Sequence, residues 1–341
     1  MKVVPTQEAA GMVLCHDVTR IVPGEFKGRA FKKGHVIQDS DISELLNMGK
    51  EHIYVFDLKE GWVHEDEAAL RIAKSAAGPG IRIGEAAEGR VNLTAERDGL
   101  LTINADALYQ INALEDIVFA SLHTHQPVKK EKAVAGTRIV PLVTQEKNVR
   151  DAEEICRNHS PVIEIKPFQS LSVGIVTTGS EIYHGRIEDR FGPVLREKFA
   201  ELGSRVLRQV FVSDDTAMTV RAIADLLADG AEMIAVTGGM SVDPDDQTPA
   251  SIRAAGGKVV TYGAPVFPGA MFMLAYIDGI PVVGLPGCVM YYRASIFDLV
   301  VPRILAGESL TRDDFVRMGH GGFCAGCEQC RYPLCGFGKG N

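Results

Sequence analysis

From about Leu171 to about Leu305 the chain alternates short β-branched runs with amphipathic stretches, each closed by glycine, and no other feature narrows the possible folds so far. "LSVGIVTTG" reads as a strand ending at Gly179. "GPVLREKFAELG" reads as a helix with Pro193 in its first turn, Leu195, Phe199 and Leu202 on one face and Gly203 at its exit. "RVLRQVFV" is the next strand, and "SDDTAMTVRAIADLLADG" a helix started by Ser213 or Asp214, with a Val220, Ile223, Leu227 stripe and Gly230 as its stop. The unit then repeats: "EMIAVTGG" is a strand, "TPASIRAAGG" a short helix capped by Thr248 with Pro249 in its first turn, and "KVVTYG" a strand. "MFMLAYIDGIPVVGL" reads as a hairpin about Asp278-Gly279, and a last helix starts near Val289. This order predicts an α/β domain with a mainly parallel sheet and helices on both faces.

The N-terminal part reads differently, as β-rich modules. "GEFKGRAFKKGHVIQDSDISELLNMGKEHIYVF" gives a small β-unit and one helix ending at Gly49. A later stretch, 89–143, alternates short apolar runs with Gly, Asn and Asp turns, and the charged "WVHEDEAALRIAKSAAGPG" reads as the connector between them. The expected domains are therefore an α+β segment over 1–62, a β-rich module over 63–165, the α/β domain over 166–310 and a cysteine-rich tail over 311–341.

A chain of 341 residues, 46% hydrophobic, can bury more than one core. Its formal charge of -8, from 36 basic and 44 acidic residues, argues against a nucleic-acid partner, which would be held by releasing counterions from phosphates. No apolar run reaches the roughly 18 residues of a membrane span, and the N-terminus lacks a secretory pattern. A cytoplasmic protein without a membrane partner is expected.

In sheets of this kind, ligands bind beyond the carboxyl ends of the strands. Three loops fall at that edge: Thr177 to Glu181, Thr237 to Asp246, and Pro286-Gly287. The second, "TGGMSVDPDDQ", offers glycine amides and the start of a following helix to an anion, but no lysine. Its carboxylates would repel a phosphate unless a hard cation lay between them, and Mg²⁺ is held in that way by one or two carboxylates plus phosphate oxygens. The competing reading of Asp243 to Gln247 is a solvated turn that caps a helix. Asp189, just before Gly192-Pro193, is read either as a second metal ligand or as a charge at the helix start, and Glu181 as a ligand-facing acid or a polar loop residue. Asp245 is expected to point to solvent.

"VGIVTTGSEI", "GRIEDRFGPVLREKFAELG", "VSDDTAMTVRAIADLLADGAEMIAVTGGMSVDPDDQTP" and "GIPVVGLPG" together resemble the molybdopterin-binding domain of molybdenum cofactor biosynthesis proteins. The 24–56 segment is similar to the one that precedes this domain in molybdenum insertases. The resemblance implies cofactor-binding roles for Thr178, Gly179, Glu181, Gly238, Gly239, Ser241, Pro286 and Gly287, and catalytic, Mg²⁺-binding roles for Asp189 and Asp246. It further implies adenylylated molybdopterin and molybdate as substrates, release of AMP, a homo-oligomer and a molybdoenzyme client. This sequence departs from the pattern where Asp243 stands in place of a glycine, where Ala270 and Met271 replace a lysine and a proline, and where Cys288 replaces an asparagine. The same loop is also similar to the competence-damage-inducible family, which implies a metal-dependent nucleotide-sugar pyrophosphatase. A non-enzymatic molybdopterin carrier or sensor is a third reading.

Of seven cysteines, Cys324, Cys327, Cys330 and Cys335 cluster near the C-terminus with C-x2-C-x2-C-x4-C spacing. Such spacing turns successive thiolates toward one centre, so these four are the expected ligands of a [4Fe-4S] cluster or Zn²⁺, or else a redox-active tail. Cys15, Cys156 and Cys288 read as buried small hydrophobes. His123 and His125 would share one strand face, with a packing role, and Lys129, Lys130 and Lys132 read as a solvated turn.

Overall fold

The structure, a computed structural model, describes residues 2–22, 26–56, 60–241, 243 and 246–340; Asp245 lies outside them. The chain forms two compact units, one of residues 1–97, 102–122 and 129–165, the other of 98–101, 123–128 and 166–341.

The second unit is built on a six-stranded sheet. In space its strands run Arg205–Val212, Ser172–Thr178, Met233–Thr237, Ile280–Leu285, Met273–Ile277 and Lys258–Tyr262. The first four pair in parallel and the last two close the sheet antiparallel. The Asp278-Gly279 hairpin turn has φ of 49° and 85°, the two positive values that a tight two-residue turn needs to match strand twist. Side chains alternate between two cores. Val173, Ile175, Met233, Ala235, Val283 and Leu285 face one core, with Leu195 and Phe199 of the Phe191–Glu201 helix and most of the Ile296–Leu305 helix. Val176, Ile234, Val236 and Val282 face the other, with Ala222, Ile223 and Leu226 of the Thr216–Ala228 helix. Burial on both faces explains why these strands read as unbroken apolar runs. At Gly174 the helix lies so close that an added Cβ would sit 3.0 Å from Leu226 Cδ1.

Several expectations shift in detail. The Thr216–Ala228 helix is capped by Asp215, which accepts from Met218 N at 2.7 Å, rather than by Ser213 or Asp214. Its buried residues are Thr219, Ala222, Ile223 and Leu226, which share Ile223 with the expected stripe and take Thr219 and Leu226 in place of Val220 and Leu227. Thr248 is the first helical residue of Thr248–Ala254, not its cap. The last helix is broken: a turn at Cys288–Tyr291 precedes Ile296–Leu305, which Ser295 starts afresh through a capping box with Asp298.

In the first unit, the strands Lys2–Pro5, His52–Phe56 and Val13–Leu14 form an antiparallel sheet with the Asp39–Asn47 helix over it. Val4, Leu14, Leu45, Ile53 and Val55 are its core. A four-stranded antiparallel sheet follows, of Ile117–Ser121, Ala133–Ile139, Arg90–Ala95 and Ile81–Ile83. The supposed connector is in large part the helix Glu65–Ala76, with Ala68, Ala69, Ile72, Ala73 and Ala76 on its buried face. An alanine face carries helical spacing with little hydrophobic contrast. Arg71 fixes this helix to the Glu146–Asn158 helix by reaching both Glu146 and Glu153.

His123 and His125 lie between strands rather than on one, and His125 has φ of 57°. His125 Nε2 sits 3.8 Å from Glu308 in a cluster where Arg303 Nε donates to Glu308 Oε2 at 2.7 Å and Arg303 also reaches Asp314. Burial, with Arg303 beside it, pushes the His125 imidazole down to about 4. An unfolded histidine takes its proton near pH 6.5. Between these values the unfolded chain binds more protons, so this contribution to stability is complete above pH 6.5 and is lost as pH falls toward 4. His125→Asn, which tolerates the positive φ, is expected to flatten the fall in denaturant midpoint between pH 6.5 and 4 relative to wild type, without altering it above pH 7.

Candidate functional site

The parallel register brings Thr177 opposite Thr237, and Thr237 opposite Leu285, so three strands end level. Just beyond, Gly238 and Gly239 both have positive φ, 85° and 55°, and pack against Thr178: a Cβ on Gly238 would collide with the Thr178 carbonyl and one on Gly239 would lie 2.9 Å from Thr248 Oγ1. Only glycine permits that turn and that approach together. Thr178 Oγ1 donates to the Thr237 carbonyl at 3.2 Å and lies 3.4 Å from Thr248 Oγ1, which donates to the Gly238 carbonyl at 2.8 Å. Thr248 N donates to the Gly239 carbonyl at 3.1 Å, so the loop closes on its own beginning. Among the described residues the N-H groups of Gly239, Met240 and Ser241 meet no acceptor.

Asp189 joins this edge through residues that sequence reading overlooked. Gln209, midway along an edge strand, donates through Nε2 to Asp189 Oδ2 at 2.7 Å and to Thr177 Oγ1 at 2.9 Å, while the Thr237 hydroxyl donates to Thr177 Oγ1 at 3.2 Å. The signal was a lone polar residue inside "RVLRQVFV" and a threonine at matching places in two strands, which β-propensity alone had accounted for. Asp189 also accepts from Phe191 N at 2.9 Å and Gly192 N at 3.1 Å. A Cβ on Gly192 would collide with both Gln209 and Asp189. Both oxygens of Asp189 thus accept from protein donors, at the start of the Phe191–Glu201 helix and from Gln209, which fits the helix-start reading of this carboxylate.

Asp246 is differently placed. Its Oδ2 accepts from Asp243 N at 2.9 Å and its own N-H returns to the Asp243 carbonyl at 2.9 Å, while Oδ1 accepts nothing among the described residues. Asp246 thus leaves one carboxylate oxygen without a donor among the described residues. Asp243, where the resemblance expects a glycine, is exposed. Ser241 is exposed, and its carbonyl and that of Met240 accept from Tyr262 Oη at 3.4 and 3.2 Å.

The neighbouring loops are tied down as well. Asp214 accepts from Ser180 N at 2.8 Å, and Ser213 and Ser180 hydroxyls meet at 2.8 Å. Gly179 has φ of 138°, and exposed Glu181 folds back beside it. Pro286 is buried and Gly287 exposed, directly after Leu285 and with open space where a side chain on Gly287 would be.

The tail thiols are not drawn together. Cys324 and Cys335 pack against the core of the second unit, Cys327 and Cys330 are exposed, and all are free. Among the described residues no group of three or more His, Cys, Asp or Glu side chains is arranged to hold a metal ion. The donor chemistry suits zinc or an iron-sulfur cluster; the arrangement does not. Cys156 is buried as expected, whereas Cys15 and Cys288 are half-buried. No helix among the described residues is long and apolar enough to cross a membrane.

Residues 174–306 match a family described as a probable molybdopterin binding domain, and residues 3–57 match a domain of unknown function. A CinA-like protein of Mycobacterium sp. (strain MCS) is 34% identical over 83 residues, covering 24% of this chain and 20% of that one. A molybdopterin molybdenumtransferase of Staphylococcus aureus (strain COL) is 27% identical over 131 residues, 36% of this chain and 31% of that one. The chain thus spans a third or less of the length of these relatives. Among solved structures, the tungsten cofactor synthesizing protein MoaB from Pyrococcus furiosus aligns at 21% identity over 40% of this chain and 96% of that one, with a TM-score of 0.34. Residues 174–306 are a domain of the molybdopterin-binding family.

Gln209→Leu leaves Asp189 Oδ2 and Thr177 Oγ1 without their shared donor. It is expected to cost about 1–3 kcal/mol, read as a lower urea midpoint at unchanged m-value, and an unaltered midpoint would show that the network carries no weight.

Proposed function

We propose that residues 166–310 bind a molybdopterin-type ligand in molybdenum cofactor biosynthesis or delivery, with its anionic group on the amides of Gly239 to Ser241. The observation that carries this reading is the set of three unpaired amides in a glycine turn, held open by Thr178 and Thr248, within a domain of this family. Amides in such a turn form a concave donor surface for an oxyanion. Thr178, Gly179, Glu181, Pro286 and Gly287 would border the ligand, and Gly238 would shape the approach.

Mg²⁺ bound to Asp246 would supply positive charge to a phosphoryl group. The free Oδ1 of Asp246 suits one such bond, and the Asp243 turn holds that carboxylate in place. Asp189 acts as a positioning residue, fixing the Phe191–Glu201 helix and Gln209. Under the insertase reading the substrates are adenylylated molybdopterin and molybdate, and AMP is released. The match to a CinA-like protein supports a second reading, hydrolysis of a nucleotide-sugar pyrophosphate at the same loop. A molybdoenzyme client, a homo-oligomer and the separate roles of segments 1–62, 63–165 and 311–341 belong to the insertase or carrier reading. No step is assigned to the tail thiols.

Two measurements test this. Quenching of pterin fluorescence should report molybdopterin binding by the wild type and at least about tenfold weaker binding by Gly239→Val, whose side chain fills the turn. With AMP, the wild type is expected to show a Mg²⁺-dependent rise in thermal midpoint, and Asp246→Asn should keep pterin binding but lose that rise. AMP release from adenylylated molybdopterin that depends on molybdate supports insertion, cleavage of ADP-ribose supports the second reading, and binding with neither supports a carrier. Absence of pterin binding would sink the proposal.

A further inference from the structure

The first unit holds a cleft of about 460 Å³, within the size range of small-molecule sites. Phe56, Val140, Pro141 and Leu142 supply its apolar wall. Two of its cations are already matched, Arg29 by Asp17 at 3.2 Å and Lys32 by Glu88 at 3.2 Å. Lys33 Nζ and the Arg138 guanidinium also line the cleft, and among the described residues neither makes a hydrogen bond or ion pair.

Opposed to these cations is an acid that the fold has gone to some length to bury. Glu65 is 5% exposed and lines the cleft, yet its carboxylate accepts no hydrogen bond among the described residues. Gly34 and Gly89, with φ of 86° and 71°, wall it in: a Cβ on the first would lie 2.9 Å from Glu65 Oε1 and one on the second 2.7 Å from Oε2. His64 is not its partner, because the His64 Nε2-H donates to the Gly34 carbonyl at 2.6 Å and Nδ1 accepts from Asp66 N at 3.2 Å. A buried acceptor left unpaired is costly, and a structure that keeps one facing a cavity offers it to a donor from outside.

We propose that this cleft is a binding site for a small phosphorylated molecule that also carries an N-H donor, with the oxyanion on Lys33 and Arg138 and the donor on Glu65. Charge-assisted bonds from a lysine and an arginine suit a tetrahedral oxyanion, and the guanidinium can take two of its oxygens. Burial raises the Glu65 carboxyl, and the nearby Asp66 adds to this, while His64, Arg138 and Lys33 act the other way. A ligand amine would provide the neutralising partner that this acid lacks. The inference is independent of the role of the second unit.

The test is calorimetric titration of the full chain at low salt and pH 8 with two probes, sulfate and phosphoethanolamine. Both are expected to bind. Lys33→Ala with Arg138→Ala, at two exposed positions, should weaken each by at least about tenfold. Glu65→Gln keeps the shape and removes the charge. It should tighten sulfate about threefold, because a repulsion is lost, and weaken phosphoethanolamine by at least as much, because the ammonium loses its partner. No binding of either probe, or unchanged affinity in the double variant, overturns the site; equal effects of Glu65→Gln on both probes overturn the role of Glu65.

Discussion

The parallel pairing of Ser172–Thr178 with Met233–Thr237 is the constraint on which the second unit rests. Parallel strands cannot be joined by a tight turn, so each must leave the sheet, and the helices that bring the chain back cover both faces. The same register sets Thr177 beside Thr237 and Thr178 beside the glycine turn. Hydroxyl groups that elsewhere would merely be satisfied side chains become a hydrogen-bonded seam along the sheet's edge. Gln209 extends the seam to the third strand and to Asp189. The threonine hydroxyls are all engaged there and tie the turn at Gly238-Gly239 to the strand ends, while the amides of Gly239 to Ser241 are left without acceptors among the described residues.

Much of this was legible in the sequence, for identifiable reasons. "LSVGIVTTG" corresponds closely to a strand because both faces of a buried strand demand apolar residues and glycine closes it, whereas "RVLRQVFV", a largely exposed edge strand, was legible from its β-branched and aromatic residues. The glycine pair was legible as a close-approach site since few other residues adopt its φ values. What escaped were relations across the sheet. No local pattern says that Gln209 donates to Asp189, or that the carboxylate of Asp189 also accepts from the amides that start the next helix. That Asp215 caps the helix, rather than Ser213 or Asp214, was likewise beyond reach, since adjacent polar residues have similar local merit and only the tertiary contact of Asp214 with Ser180 N separates them.

The first unit was less legible. Its 65–76 helix carries alanines where a periodicity reading looks for leucine and isoleucine, so a helix packed on a sheet passed for a charged connector. Small side chains allow that helix to approach the sheet closely, which also brings Glu65 under the glycines at 34 and 89. The charged character of the segment was real, but part of it faces inward. That a helix should begin with a buried, unpaired glutamate runs against the usual economy of folding and is a property of the cleft rather than of the helix.

The packing of the C-terminal segment bears on what counts as the domain. Phe315 and Phe337 are buried in the same core as Leu195 and Val300, Phe315 stacks on Phe272, and the Tyr332 hydroxyl donates to the Asp298 carbonyl at 2.8 Å. Homology ends at residue 306, but the apolar surface that homology defines is closed by residues up to 337. The hereditary unit and the folding unit therefore have different lengths in this chain. Cys324 and Cys335 pack against that same core, so a change at either thiol reaches residues on both sides of the boundary at 306.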